Sequence, residues 1–408
     1  MLANSKFISL NKVLFNLAII LNYIIYVIFG TKDFFFIFFI IIILSFLVNL
    51  IIVFKSNRVL FFFFLLLLIM SLGSAVQVWD ARSIFMFNAK RIFFEDTFST
   101  YLKSFGFNIN YPILYPVLSS TLNIYFNYWS EIIPKLSILF LSLIPLINIY
   151  SEIEKKDQLL FTFLFFLIFE YQILNGDCDV LIGLYSVNNI ILINKIIKNT
   201  HSEKKANFLS IIDLLLANII FLLLKPQSWA ITFAFVNTLF ILFIYKEIKL
   251  KKLLLVLLII LVSITPLYHW KLITLNNYNY IISSDYSFDM LKKNFLDIHI
   301  FFKTLFLILD KLLVQKSFMI LSIFITFILT KTFCVVSIIN FKKFIKTNIV
   351  LILFLTAMQY FFAMLVMWLS FAAGDLSINL EYTVTRYIVP LNMIFLFLGF
   401  MFLKFLRN

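Results

Sequence analysis

The sequence is poor in the residues that build most soluble enzyme sites. Its 408 residues include 7 Gly, 7 Pro, 3 His and 2 Cys, and only 13% of the chain is charged. It has no glycine-rich phosphate loop and no zinc-protease or serine-hydrolase motif. The scattered His and Cys residues argue against a metal centre built from those ligands. Because soluble proteins are roughly one-quarter charged, the composition also argues against a soluble fold.

Long apolar runs dominate the chain instead. Hydrophobic residues make up 63% of it, including 54 Phe. A membrane-spanning helix needs about 20 mostly apolar residues, so we predict an all-α, polytopic integral membrane protein with about twelve transmembrane helices. The runs lie at residues 11–30, 34–54, 59–78, 131–150, 158–175, 180–197, 208–224, 228–246, 253–273, 317–339, 347–370 and 387–405.

The charge pattern predicts an orientation. The formal charge of +14 comes from 34 Lys and Arg against 20 Asp and Glu. Lysines are concentrated in the short loops between the apolar runs. That bias is typical of cytoplasmic loops, so we predict cytoplasmic termini and attribute the positive charge to topology rather than to a nucleic acid partner. The long loops at about 79–130, 274–316 and 371–386 then face outside. The whole chain, 1–408, is predicted to form one transmembrane domain, with no room inside for a soluble nucleotide-sugar domain.

One further apolar stretch does not fit a span. Residues 300–314 are interrupted by Asp310 and Lys311. We predict a helix that lies along the membrane surface. One half of a re-entrant pair is the alternative.

The stretch from Trp79 to Glu95 combines a carboxylate with cations and aromatic rings. Trp favours the headgroup level of a bilayer, which places Asp80 at the end of a span. A carboxylate held rigidly beside cations suits general-base chemistry on a phosphate-bearing lipid. We predict that Asp80 is catalytic and that Arg82 and Lys90 contact a phosphate-bearing lipid. A solvated acid beyond a helix end is the plainer interpretation.

These residues also carry a resemblance. Trp79-Asp80-Ala81, Ala89-Lys90 and the run from Tyr111 to Pro116 resemble the first extracytoplasmic loop of bacterial GT-C-type glycosyltransferases. The resemblance implies a GT-C-like fold in the bacterial cytoplasmic membrane, with amphipathic helices in this loop. It implies transfer of a monosaccharide from a polyprenyl-phosphate donor to a lipid-linked saccharide, lipid A or protein acceptor on the extracytoplasmic face of that membrane. The two Tyr-Pro pairs are predicted to pack the loop against the bilayer.

A second acidic site lies in the turn before the run 180–197. Gly176-x-x-Asp179-Val180 is similar to an outer-turn motif of the same family, which implies a catalytic role for Asp179. Asp177 and Asp179 are spaced as in a DxD motif. Such a pair suits Mg²⁺ or Mn²⁺ bound against a lipid phosphate, or it positions the acceptor, and both alternatives stay open. An ordinary turn also favours Asn, Gly and Asp.

Two cationic positions complete the predicted site. Lys225 stands at the outer end of a run, before Pro226, where it contacts the donor phosphate or extends to the headgroups. Arg386-Tyr387 resembles a pair near the C-terminal end of several family members, and Arg suits phosphate because it donates two parallel hydrogen bonds. An interfacial anchor is the alternative for this pair. We expect the active site where the first outer loop meets the ends of the spans.

Two other functions fit a polytopic protein. A flippase for lipid-linked oligosaccharides would show paired halves with helices broken at matching depth, and no such repeat is visible. An O-antigen-type polymerase or ligase usually centres on Arg and His in a late outer loop. The loop 274–316 contains His299 but no Arg.

Overall fold

The fold is all-helical throughout the described part of the chain. The computed structural model describes residues 5–73, 81–95, 97–103, 111–124, 128–174, 178–198, 204–277, 288–314, 348–370, 384 and 386–407. Within these ranges there is no strand, and the single extended pairing is an isolated bridge between Thr31 and Thr97. The predicted all-α class is therefore confirmed.

Sixteen α-helices follow one another in these ranges, numbered here in chain order. They are α1 Ser5–Phe29, α2 Phe35–Ser56, α3 Arg58–Gly73, α4 Phe87–Phe94, α5 Phe98–Lys103, α6 Leu114–Ile124, α7 Ile132–Glu152, α8 Gln158–Leu174, α9 Asp179–Lys198, α10 Lys204–Leu224, α11 Ser228–Ile244, α12 Leu250–Asn277, α13 Phe288–Leu296, α14 Ile298–Val314, α15 Asn348–Leu369 and α16 Val389–Arg407. A π-helical turn, Ala81–Met86, leads into α4 and a 3₁₀ turn, Lys155–Asp157, leads into α8.

The helices identify a helical membrane protein. Every predicted run coincides with a helix except 317–339, which lies outside the described residues. Among the described helices, 6 are long and apolar enough to cross a membrane, and four shorter apolar helices accompany them. The 6 are Phe7–Phe29, Phe35–Ser56, Ile132–Glu152, Asp179–Lys198, Leu250–Thr274 and Ile349–Leu369. The total of about twelve spans remains a prediction.

Local chemistry explains how the first three helices begin and end. Gly30 follows α1 with a φ of 69°, a left-handed conformation that glycine adopts without the steric cost a side chain adds. Its N–H donates to the Tyr26 carbonyl at 3.0 Å and closes the last turn. Asn57 separates α2 from α3, and its side-chain oxygen accepts from the Leu60 N–H at 3.0 Å. Such a side-chain acceptor satisfies an N–H that the helix leaves unpaired.

The described helices form two compact units. Unit 1 comprises residues 1–228 and 254–278, and unit 2 comprises 229–253 and 279–408. Within unit 1, α9 is almost completely buried and packs against α7, α8 and α10. Within unit 2, α13, α14 and α16 pack against α15. The prediction of a single domain over 1–408 stays a prediction.

The described part of the predicted first outer loop is buried in unit 1 more deeply than the sequence suggests. Its helix α6 is buried along nearly its whole length and packs on α4 and α7. Tyr115 is 1% exposed, and its hydroxyl donates to the Pro134 carbonyl at 2.6 Å. The prediction that Tyr115-Pro116 packs against the bilayer is therefore wrong. These residues begin a helix whose surroundings are other protein helices, because the Tyr hydroxyl finds its partner on α7.

Candidate active site

A buried ion pair joins the first residue of α9 to the end of α10. Asp179 is 0% exposed and Lys225 is 2% exposed, and the Lys225 Nζ lies 2.5 Å from the Asp179 Oδ1. Lys225 follows α10 directly, and Pro226 cannot supply the N–H that would continue the helix. The chain therefore turns at this point and leaves Lys225 directed at Asp179.

Gln227 adds a second donor to the same carboxylate oxygen. Its Nε2 lies 3.0 Å from the Asp179 Oδ1. The turn that carries it is closed by Ser228, whose N–H and hydroxyl both donate to the Lys225 carbonyl, at 3.1 and 2.8 Å. The spacing Lys-x-Gln thus aims two donors at one acid. No role for Gln227 was predicted from the sequence. The pattern that could have identified it is its position two residues after Lys225, beside Pro226.

The energetics of this cluster set it apart from a surface contact. Removing an ion from water costs several kcal/mol, and a buried pair persists only when geometry and further hydrogen bonds compensate that cost. Asp179 also lies in the first turn of α9, where the helix dipole favours negative charge. The Oε1 of Gln227 is buried and has no hydrogen-bond partner within the part of the chain that the structure describes. A buried acceptor without a donor costs about 1–3 kcal/mol.

The other predicted site residues of unit 1 have no described contact with the Asp179 cluster. Asp80 and Asp177 lie outside the described residues, and only the backbone of Arg82 is described, in the π-helical turn before α4. Lys90 is exposed on α4. Its neighbour Arg91 is the cation that turns towards the protein.

Arg91 is held in a fixed orientation. Its Nη2 donates to the Tyr101 carbonyl at 3.0 Å, and its guanidinium lies 5.2 Å from the centre of the Tyr101 ring and 5.8 Å from that of Phe87. Such cation–π contacts and the hydrogen bond restrict the side chain. The sequence pattern Lys90-Arg91 did not distinguish the two cations, because both lie on the same short helix.

Arg386 and Tyr387 lie in unit 2, directly before α16, and both are partly exposed. The Tyr387 carbonyl accepts a hydrogen bond from the Tyr360 hydroxyl at 3.0 Å, and its ring packs edge-on against Trp368 at 5.6 Å. Both partners belong to α15. The pair is therefore attached to the end of a candidate membrane span, whichever role Arg386 has.

The metal prediction rests on a residue outside the described ranges. Within those ranges no group of three or more His, Cys, Asp or Glu side chains comes together. Asp179 has an ammonium and an amide as its neighbours. A carboxylate in that environment is already neutralised, so a divalent cation there would have to displace Lys225.

Three comparisons with known proteins found no match. No family model matches it, and neither a curated protein nor a solved structure does. The GT-C resemblance stays a prediction. The argument for function therefore rests on the residues themselves, and above all on the buried cluster of Asp179, Lys225 and Gln227.

Proposed function

We propose that this protein is a membrane glycosyltransferase of the GT-C type. It moves a monosaccharide from a polyprenyl-phosphate donor to a lipid-linked saccharide, lipid A or protein acceptor at the extracytoplasmic face of the bacterial cytoplasmic membrane. Asp80 acts as the base. Lys225, with Arg82 and Lys90, contacts the donor. Arg386 of unit 2, beside Tyr387, stays a predicted phosphate contact.

The observation that carries this proposal is the Asp179–Lys225–Gln227 cluster. Lys225 and Gln227 lie 46 and 48 positions after Asp179 in the sequence, yet both donate to the same oxygen of its carboxylate. This contact lies inside a helical membrane protein. Buried ionisable groups in such proteins are costly and commonly mark substrate sites. The cluster offers chemistry suited to a sugar phosphate: an ammonium for phosphate oxygens, and a carboxylate and a buried amide oxygen for hydroxyl groups.

The cluster also suggests how the site is primed. In the structure Asp179 neutralises Lys225, so neither charge is presented to solvent. Donor binding would exchange the carboxylate for a phosphate on Lys225 and free Asp179 to orient the acceptor hydroxyl. The Gln227 Oε1 would then receive a hydrogen bond from the sugar. Mg²⁺ or Mn²⁺ is needed only if Asp177 joins Asp179 in holding the phosphate.

The test is sugar transfer by purified protein in nanodiscs. A panel of radiolabelled polyprenyl-phosphate monosaccharides serves as donor, and membrane lipid extract with lipid A serves as acceptor. We expect Asp80→Asn to lower the transfer rate by about 10²–10⁴, the usual contribution of a general base, while donor binding and thermal stability stay unchanged.

The matched control is Asp33→Asn, which removes an exposed acid from the turn between α1 and α2. It should leave transfer unchanged. Near-normal turnover of the Asp80→Asn protein would remove the base from this proposal. Movement of a fluorescent lipid-linked oligosaccharide across proteoliposomes, without any transfer, would favour the flippase instead.

A further inference from the structure

Helix α14 of unit 2 carries three different stripes along one length. Thr304, Ile308 and Leu312 form a buried stripe, each at most 7% exposed. Since four residues make about one helical turn, these three side chains lie above one another. This stripe is the face that packs within unit 2, where α14 contacts α13 and α15.

The second stripe is apolar and uncovered. Ile298, Phe302 and Phe306 are again four residues apart, and they are 62%, 45% and 64% exposed. The third stripe is polar and short, and its members His299 and Lys303 are both exposed. The exposed Asp310 lies one turn after Phe306 and ends the apolar stripe. The two exposed stripes run side by side, because each polar residue of the pair 299 and 303 directly follows an apolar one.

This arrangement is incompatible with a helix that crosses the membrane. A crossing helix would hold the exposed side chains of Lys303 and Asp310 in hydrocarbon, at up to about 2.5–3.5 kcal/mol for each charge near the centre. A helix lying in the plane of one leaflet avoids that cost, with its apolar stripe inward and its polar stripe towards the headgroups.

The start of α14 is fixed at the level of a span end. The Asn294 Nδ2 on α13 donates to the Leu369 carbonyl, the last residue of α15, at 2.8 Å. Asp297 then begins α14, and its Oδ1 accepts from the N–H groups of His299 and Ile300 at 3.0 and 3.2 Å. Because α15 is long and apolar enough to span, its end marks a membrane surface. α14 therefore begins at that surface.

We propose that α14 lies in the headgroup–acyl boundary of one leaflet, with Ile298, Phe302 and Phe306 inserted between lipid chains. The partner is the phospholipid surface itself. Lys292 and Lys293 on the preceding α13 are both exposed, and they reach lipid phosphates from the same level. This inference concerns the lipid contact of unit 2 and holds whether or not the protein transfers sugars.

Spin-label depth measurements test the orientation. Single cysteines at 298, 302 and 306, in a Cys178→Ala and Cys334→Ala background, carry a nitroxide label in phospholipid nanodiscs. Collision with oxygen and with a nickel chelate reports the depth of each label. We expect all three labels at one shallow depth, and labels at 299 and 303 in contact with the nickel chelate.

Helix α15 supplies the matched control in the same unit. Its exposed Phe354, Met358, Phe362 and Val366 are also four residues apart. Labels there should change depth steadily, by about 18 Å over twelve residues. A similar gradient in α14, about 12 Å from 298 to 306, would show that α14 crosses the membrane and would overturn the proposal.

Equal collision of all α14 labels with the nickel chelate would also overturn the proposal, because it would show that water covers this face. Collision with neither reagent would overturn it too, because it would show that protein covers the face. Leu305 and Leu309 flank the apolar stripe. Labelled cysteines at these two positions replace any label position whose variant fails to elute as a single folded species in size-exclusion chromatography.

Discussion

The two ends of α9 both hold buried charges, but they hold them differently. At its first residue, Asp179 contacts Lys225 directly, and both groups come from helix ends or from a turn. Towards its last residue, the charges belong to three helices, with Lys12 on α1, Lys195 on α9 and Asp213 on α10. There the Lys12 Nζ donates to the Asn148 Oδ1 at 2.6 Å, and the Asn148 Nδ2 donates to the Asn188 Oδ1 at 2.7 Å.

An acid also belongs to this second cluster, which is formed by Lys12, Asn148, Asn188, Lys195 and Asp213. Asp213 on α10 interacts electrostatically with Lys12 and Lys195. In this cluster Lys12 donates to an amide side chain rather than to the acid, whereas Lys225 contacts Asp179 directly. Residues on packed helices fix the register of those helices, while residues on turns can change partners when a ligand arrives. The difference favours a structural role for the second cluster and a binding role for the first.

Topology mapping should give the largest effect of the tests of this comparison, because a reporter fusion is either active or inactive on a given side of the membrane. We expect cytoplasmic signals from fusions near the second cluster and external signals from the long loops. Cytoplasmic fusions follow Lys156, Lys205 and Lys252, and external fusions follow Gly106, Asp285 and Ser377. An external signal after Lys205 would reverse the two ends of α9 and remove the Asp179 cluster from the side proposed for sugar transfer.

The next test distinguishes the contribution of the Asp179–Lys225 pair to folding stability from its contribution to sugar transfer. Lys225→Met leaves the Asp179 carboxylate buried without its cation, and removing one partner of such a pair costs about 3–5 kcal/mol of folding stability. The double variant Asp179→Asn with Lys225→Met removes both charges and should recover most of that stability. We expect it to be inactive in sugar transfer all the same. Unfolding in detergent titrated with SDS measures the first effect, and the nanodisc assay measures the second.

A double variant that regains stability and also retains transfer would show that the pair is only structural. In that case the two ends of α9 would not differ in role. The Gln227→Met variant is the control for lost hydrogen bonding, because it removes the second donor to Asp179 and leaves the ion pair in place.

The fold was more predictable from the sequence than the site. Apolar runs determine where helices form in a bilayer, so the helices fall where the runs do. The burial of α6 was not predictable, because its polar residues Ser119 and Thr121 are typical of a surface loop until their partners on α7 and α1 are known. Likewise, the sequence picks out Asp179 and Lys225 separately. Their contact depends on how α9 and α10 pack, which no local pattern encodes.

A smaller effect is expected from the second cluster of α9. Asp213→Asn removes a charge but keeps a polar side chain beside Asn148 and Lys12, so we expect a loss of about 1–3 kcal/mol in folding stability. Sugar transfer by the folded fraction should stay unchanged. A variant of normal stability that fails to transfer sugar would contradict the structural role and would mark Asp213 as functional.

The smallest effect belongs to the exposed edge of the same cluster. Lys195 on α9 contacts Glu152 on α7 at 3.2 Å, with side chains 37% and 24% exposed. Water screens such a pair, and exposed ion pairs contribute about 0–1 kcal/mol. We therefore expect Glu152→Gln to change the SDS unfolding midpoint far less than Asp213→Asn, because Lys195 can be solvated when its partner is lost. Equal losses for the two variants would mean that burial does not set the energetics at this end of α9. The charge network would then act as one unit, from Glu152 at the surface to Asp213 inside.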